Sequence, residues 1–459
     1  MKIKFCYLIV LSVLFFACKK REKPVPVPDP NPIDTTAVKV NSLVKPLVTT
    51  STEKFLVLSD VHVDVNLPVT YFGANSVSVT CKALWKKTKA KLESVAKAEQ
   101  PTFMLYLGDL PGYNDSTRRT NTHAMLENLR DLNVGIPILY LPGNNDSLEG
   151  DYHSFSNSNA QTVLTKDKDT INPWPVINSK ASGIKVGNLD FSKAFGYYSV
   201  DLTDSGNTLK VIALNTVIFC NKSKYHQYVS DDKVSQQTAT QEQMTWLETT
   251  LSKLTKNDRV LLIMHIPIGL DGYSGDAMWN PVLTFTDASG KTQGLHNGFL
   301  DLLSKHKANI VGLLNGHTHL DGLRRIYNGK VAKASDMISY SISTPGIAVN
   351  HQNNPAFKTF TYDTKSFDLL DFETYYASPT AHYPKTKKGK YNSEFEYLKN
   401  SSYTFKDEYC IKDKTETMFT SLSKQTNAQI LAHIDSTLGA KSNKDVKLQK
   451  KASINVFKN

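Results

Sequence analysis

Between residues 51 and 380 the chain alternates short, wholly apolar runs with longer amphipathic stretches. The runs are 55–58, 103–107, 138–141, 209–214, 260–264 and 310–314. Runs this short, without polar alternation, predict strands buried on both faces. The intervening stretches 83–98, 123–132, 241–254 and 299–307 repeat their apolar residues at helical spacing and predict helices. Strands interleaved with helices predict an α/β architecture.

Past residue 380 the strand pattern fades. Segments 394–399 and 416–438 read as helices, and the last twenty residues, with Lys441, Lys444, Lys447, Lys450 and Lys451, read as a loosely ordered basic tail. At the other end, Lys2 and Lys4 precede an apolar stretch over 5–17 that is too short to span a bilayer and has the form of a secretory leader. Its ending, Leu14-Phe15-Phe16-Ala17-Cys18, resembles a lipobox, which predicts a lipidated Cys18; an ordinary signal peptide with a chance cysteine is the alternative. Pro24, Pro26, Pro28, Pro30 and Pro32 then predict an extended tether. The expected organisation is a lipoprotein leader over 1–18, a tether over 19–50, a main domain over 51–380 and a helical extension with basic tail over 381–459. This layout places the protein in a bacterial cell envelope, lipid-anchored, periplasmic or at the cell surface.

Composition narrows this little. With 40 % hydrophobic and 21 % charged residues, a globular core is expected. The net charge of +11 is spread along the chain and no nucleic-acid-binding motif accompanies it, so a solvated basic surface is expected and nucleic acid is not an expected partner. Beyond Cys6 and Cys18 only Cys81, Cys220 and Cys410 remain, which excludes a disulfide scaffold; no Cys-x-x-Cys pair marks a zinc knuckle.

The residues just past the apolar runs carry the chemistry. Run 55–58 leads into Ser59-Asp60-Val61-His62, and 103–107 into Gly108-Asp109. Run 138–141 leads into Pro142-Gly143-Asn144-Asn145-Asp146, 260–264 into His265, and 310–314 into Asn315-Gly316-His317-Thr318-His319. A single Asp after a strand is an ordinary turn or cap. Five strands that all end in metal-ligand residue types point to one site at the edge of a sheet. Gly108, Gly143 and Gly316 are expected to let the backbone turn sharply beneath it.

The order Asp-x-His, Gly-Asp, Gly-Asn, His, Gly-His-x-His resembles the calcineurin-like metallophosphoesterases. Leu214-Asn215-Thr216, Trp246-Leu247-Glu248, His265-Ile266-Pro267, Ser343-Thr344-Pro345 and Asn354-Pro355-Ala356-Phe357 narrow the resemblance to acid sphingomyelinase-like phosphodiesterases, as does the run from Phe367 to Tyr376. The resemblance implies an αββα sandwich of two mixed sheets flanked by helices. It implies two divalent ions, with zinc first and manganese or iron as alternatives, since imidazoles suit borderline metals. Asp109 would bridge them, with Asp60, His62 and His319 on one and Asn144, His265 and His317 on the other. The expected substrate is a phosphodiester or nucleotide pyrophosphate, as a small molecule or lipid. The expected activity is metal-dependent phosphoric diester hydrolysis; a lipoprotein that binds a phosphate ligand with weak or no turnover is the alternative. The oligomeric state stays open.

Two family histidines are replaced, one by Tyr113, four residues past Asp109, and one by Asn145, directly after Asn144. The family residues are credited with binding phosphate and protonating the leaving group, so Tyr113 and Asn145 stand as the catalytic-position candidates. His123, His153, His226 and His296 have no motif. His351, beside Asn350, is the expected substrate contact, together with Asn354.

Overall fold

A computed structural model describes residues 51–67, 79–155, 174–178, 184–192, 195–204, 206–221, 235–383, 392–443 and 446–458. Cys18, the 19–50 tether and His226 lie outside the described residues. In chain order come β1 (Thr52–Leu58), α1 (Lys82–Glu99), β2 (Met104–Tyr106), α2 (Arg118–Arg130), β3 (Ile138–Tyr140), β4 (Val176–Ile177), β5 (Lys185–Ser192), β6 (Tyr197–Asp204) and β7 (Asn207–Leu214). Next are α3 (Gln236–Ser252), β8 (Arg259–Met264), β9 (Thr284–Thr286), β10 (Thr292–Gly294), α4 (Leu295–Lys305), β11 (Ile310–Asn315), β12 (Leu323–Tyr327) and β13 (Met337–Ser343). The last are β14 (Ala356–Asp363), β15 (Leu369–Tyr376), β16 (Ser378–Tyr383), β17 (Asn392–Glu396), β18 (Ser402–Thr404), α5 (Phe405–Glu408), α6 (Met418–Lys424), α7 (Asn427–Thr437) and β19 (Asn455–Phe457). Each apolar run predicted as a strand forms one.

The strands build two large mixed sheets, ordered β18-β15-β14-β1-β2-β3-β4 and β19-β12-β13-β11-β8-β7-β6-β5. The middle of each is parallel. Leu58 pairs with Tyr106 and Tyr106 with Tyr140 in the first; Ile263 pairs with Leu314 in the second. Parallel strands in register finish at one edge, so the loops after β1, β2 and β3 leave together, as do those after β8 and β11.

The uniform apolar runs are explained by two-sided burial. On β8, Leu261 and Ile263 join the core that includes the first sheet, α1 and α2. The alternate Val260, Leu262 and Met264 join a second core with Met244 and Leu247 of α3 and Phe299 and Leu303 of α4. A period of two thus feeds two apolar layers at once, which erases any polar alternation. Burial of each such side chain contributes about 1.5–3 kcal/mol. The layers are helix, sheet, sheet, helix.

The C-terminal region departs from expectation in three places. Residues 394–399 do not form a helix. Asn392–Glu396 pairs with β16 as a strand, and Phe395 and Tyr397, two apart, pack against the core. The helix expected over 416–438 is two, α6 and α7, because Gln425 is extended and Thr426 opens α7 with a capping box closed by Gln429. The tail is not loose: Asn455–Phe457 pairs parallel to β12, and Ile454 and Val456 are buried. With β18 on the first sheet, the extension adds an edge strand to each sheet rather than forming an appendage.

Candidate metal centre

Asp60 and His62 lie just past β1, Asp109 past β2, Asn144 past β3, His265 directly after β8, and His317 and His319 past β11. All but His317 are buried, and His317 is half-buried. Asp60, His62, Asp109, His317 and His319 adopt positive φ, between 45° and 69°. That conformation costs an L-residue roughly 1–2 kcal/mol and persists only where the surroundings over-determine it. Here main-chain bonds tie the loops to one another: Asp60 N–H to Gly108 O at 3.0 Å, His62 N–H to Asp109 O at 3.1 Å, and Gly316 N–H to His265 O at 3.1 Å.

Of the three glycines expected to turn the chain, only Gly108 does so, with φ of +100°. Gly143 and Gly316 serve by lacking a side chain, since a Cβ there would run into the carboxylates of Asp109 and Asp60.

The imidazoles are aimed from behind. Nδ1 of His62 faces Pro111 O at 3.1 Å, that of His265 faces Leu107 O at 2.6 Å, and that of His319 faces Ala348 O at 3.1 Å. A proton donated to each carbonyl fixes the ring and turns Nε2 towards the carboxylates, as the nitrogen that would ligate an ion. Against the lowering effect of burial, Asp109 pushes His62 up and His265 up to about 10. His62 Nε2 and His265 Nε2 lie 3.2 and 3.3 Å from Asp109 Oδ2, and His319 Nε2 lies 3.4 Å from Asp60 Oδ1. His317 presents Nδ1 instead, 2.8 Å from Asn144 Oδ1, which is also 3.0 Å from His265 Nε2. The Asn144 amide is oriented by Asp151, whose Oδ1 accepts from Nδ2 at 2.6 Å, so Oδ1 faces the imidazoles.

The donor chemistry fits divalent ions. Asp60, His62 and His319 bring donor atoms within 4.8 Å of one another, and so do Asp60, Asp109 and His265. Electrostatics reflect the crowding. Burial pushes Asp60 up to about 6 against the lowering pull of His265. For Asp109 burial is outweighed by His265 and His62, which hold the carboxyl well below its usual range. Burial and the neighbouring His62 and His351 keep His319 neutral, the form that ligates.

Residues 53–321, more than half of the chain, match the family of calcineurin-like phosphoesterases. The chain belongs to that family. The Mus musculus cyclic GMP-AMP phosphodiesterase SMPDL3A is 24 % identical over 318 residues, 67 % of this chain and 64 % of the relative. The Mus musculus acid sphingomyelinase-like phosphodiesterase 3b is 23 % identical over 354 residues, 70 % of each chain. Sphingomyelinase phosphodiesterase D of Dictyostelium discoideum is 25 % identical over 315 residues, 68 % of this chain and 63 % of the relative. The chain therefore spans under two thirds of the length of the first of these relatives.

The centre opens on a cleft of about 260 Å³. Tyr113 lies at its wall, stacked on the His62 ring with centroids 4.5 Å apart. Its hydroxyl is 3.3 Å from His62 Nε2 and accepts from Asn350 Nδ2 at 3.0 Å. Burial, and then Asp109 and Asp60, push the phenol far up, so it stays protonated. Asn145 also lines the cleft but is spent on Asp109: its N–H donates to Oδ1 at 2.8 Å and its Nδ2 to Oδ2 at 3.0 Å. His351 lines the cleft with its ring centroid 5.3 Å from that of His319.

Asn354 corrects the sequence reading. It is 2 % exposed, its Nδ2 donates to Ala440 O at 2.9 Å and its N–H to Gly439 O at 3.0 Å, so it fastens the C-terminal extension rather than facing the cleft. Three of the unassigned histidines lie elsewhere: His123 beside Glu127, His153 beside Glu149, and His296 against Phe457 O.

Several residues that hold the site were not marked out by sequence. Asp146 is fully buried and accepts from the N–H groups of Asp109, Leu110 and Gly143, locking the loops after β2 and β3 together. Arg118, also buried, donates to Asn145 O at 2.5 Å and pairs with Asp115. Asp321, two residues past His319, accepts from Lys358 Nζ at 2.7 Å and Tyr403 Oη at 2.6 Å, which ties that loop to β14 and β18. Burial pushes the Lys358 ammonium down to about 8 against the pull of Asp321. The one local signal was Asp146, which the turn-like Asn-Asn-Asp pattern disguised.

Proposed function

We propose that this chain is a metal-dependent phosphoric diester hydrolase. The observation that carries the reading is the donor cage: three imidazoles with Nδ1 held by main-chain carbonyls, two carboxylates and the Asn144 carbonyl converge where the parallel strands of two mixed sheets end. Asp60, His62 and His319 would hold one divalent ion, Asn144, His265 and His317 the other, with Asp109 shared; four imidazoles suit zinc, then manganese or iron. Such ions supply charge neutralisation at the phosphoryl oxygens and an activated water. The chain's own part is to aim the donors, to orient Asp109 through Asn145, and to offer the Tyr113 hydroxyl as a proton donor at the cleft. The relatives named as phosphodiesterases support a phosphodiester as substrate, and a nucleotide pyrophosphate is the further substrate class proposed from the motif resemblance.

The leader ending at Cys18 and the alternating prolines after it support a lipid-anchored protein of a bacterial envelope, its domain held off the membrane. Cys18→Ala should then shift the protein out of the membrane fraction; unchanged membrane association would refute anchoring at Cys18.

Bis(p-nitrophenyl) phosphate tests the activity. Hydrolysis should be lost on chelation and restored by zinc or manganese. Hydrolysis indifferent to chelator would refute the reading, and binding of phosphate esters without turnover would select the alternative of a phosphate-binding lipoprotein.

A further inference from the structure

Arg324, on β12, is 5 % exposed, yet it has no carboxylate partner within 4.0 Å among the described residues. Its contacts sit at the outer limit of hydrogen bonding: Nη1 to Ser343 Oγ at 3.5 Å, Nη2 to Leu270 O at 3.4 Å and to Met278 Sδ at 4.0 Å. Its Nε is buried with no hydrogen-bond partner among the described residues. Arg118 is the contrast, equally buried but with Nε and Nη2 on Asp115 at 3.0 and 2.6 Å and Nη1 on a carbonyl. A guanidinium presents five donors in a planar fork, and burial without a matching acceptor is costly. Burial pushes Arg324 down to about 10, partly offset by Asp271, so it remains a cation at neutral pH. The Asp271 carboxylate is itself occupied, accepting from Tyr273 N–H at 2.8 Å and lying 3.4 Å from Ser274 Oγ.

Arg324 lines the same cleft as Asp109, Asn144, His317 and His319. It comes five positions after His319, which bounds their Cα separation to about 18 Å at most. A substrate lying along this cleft would extend from the donor cage towards Arg324. Leu320, Leu323, Leu438 and Leu448 also line the cleft and would dry such a contact, raising its strength.

We propose that Arg324 is an anion subsite that takes a second phosphoryl group of the substrate while the donor cage takes the scissile one. This rests on the phosphodiesterase reading and makes it specific: a nucleotide pyrophosphate, with its second charged phosphoryl, fits the cleft better than a diester carrying a quaternary ammonium, which a buried cation repels. Arg matches phosphate with two parallel N–H bonds, which a lysine cannot reproduce.

The test compares ADP with singly charged bis(p-nitrophenyl) phosphate in the metal-loaded wild type, Arg324→Gln and Arg324→Lys. The ratio of kcat/KM for ADP to that for the diester should fall roughly 10- to 100-fold in Arg324→Gln, as loss of a charge-assisted bond predicts, and Arg324→Lys should recover part of it. An unchanged ratio overturns the proposal. A second measurement needs neither turnover nor the variants' full stability: inorganic pyrophosphate should raise the Tm of chelator-treated wild type and do so less for Arg324→Lys. Equal shifts in the two overturn the subsite. If the wild type hydrolyses neither substrate yet pyrophosphate protects it in this way, the phosphodiesterase reading falls and the anion subsite stands.

Discussion

The polar groups that line the cleft are used in two opposite ways. On the cage side the imidazoles of His62, His265 and His319 each rest one nitrogen on a main-chain carbonyl, Asn144 is turned by Asp151, and Asp109 is gripped by Asn145. Elsewhere along the same cleft Arg324 Nε, Asn145 Oδ1 and Asn350 Oδ1 are buried with no hydrogen-bond partner among the described residues. Buried polar atoms are nearly always satisfied in native proteins, so a cluster of exceptions along one cleft needs a reason. The difference separates two tasks. A cage for ions must hold its donors before the ions arrive, whereas a wall that recognises substrate keeps donors and acceptors uncommitted until the substrate supplies their partners.

The largest effect is expected where the cage is broken outright. Asp109 Oδ2 lies within 3.3 Å of two imidazoles, and the assignment makes this carboxylate common to both ions. Asp109→Asn should lower metal content from near two per chain towards one or none and slow hydrolysis by at least about 10³-fold, a loss of several kcal/mol of charge stabilisation. Elemental analysis beside the diester assay reads both, and full activity in the metal-poor variant would sink the assignment. A smaller effect is expected behind the donors. Asp151→Ala leaves every proposed donor in place but frees the Asn144 amide to rotate, so metal affinity should drop by about 10- to 100-fold while saturating metal restores activity. A chelator competition titration checks this, and unaltered affinity would show that the amide is held by other means.

These outer contacts also mark the limit of what the sequence reveals. The ligand set was legible because each residue comes after a run of apolar positions, and five such endings in a fixed order occur in few ways. The six strands were legible for the same reason, since parallel strands buried on both faces need unbroken apolar runs. Asp151 and Arg118 were not, because nothing local distinguishes a carboxylate or guanidinium that holds a loop from one in a surface turn, and the turn-like Asn-Asn-Asp pattern disguised Asp146. The C-terminal extension was misread on periodicity. Ile454 and Val456 alternate as a strand requires, but lysines dominate the surrounding composition, and three residues give too short a period to decide. Asn354 was misjudged because a motif places a residue in sequence, not on a given side of its loop; here it points to Ala440. The break at Thr426 was legible in principle, from the Thr-x-x-Gln capping box.

The smallest and most selective effect is expected on the wall, at Tyr113. Charge neutralisation and an activated water do not protonate a departing alkoxide, and the two family histidines credited with that task are replaced by Tyr113 and Asn145. The structure separates the two replacements. Asn145 has no titratable proton and its amide is committed to Asp109, whereas the Tyr113 hydroxyl is placed at the cleft, 3.3 Å from His62 Nε2 and hydrogen-bonded by Asn350. Burial raises the phenol's pKa, so it parts with its proton reluctantly and contributes less than the about 10²–10⁴-fold typical of a tuned general acid. Tyr113→Phe should therefore slow an alkyl-leaving diester such as sphingomyelin by about tenfold, below that usual range, and leave p-nitrophenyl esters nearly untouched because their leaving group needs no proton. Asn145→His should act in the opposite sense, speeding poor leaving groups selectively, at some cost in the grip on Asp109. A plot of log kcat against leaving-group pKa for the three proteins reads both effects as slopes: steepest for Tyr113→Phe, shallowest for Asn145→His. Equal slopes for wild type and Tyr113→Phe would assign the proton to another donor.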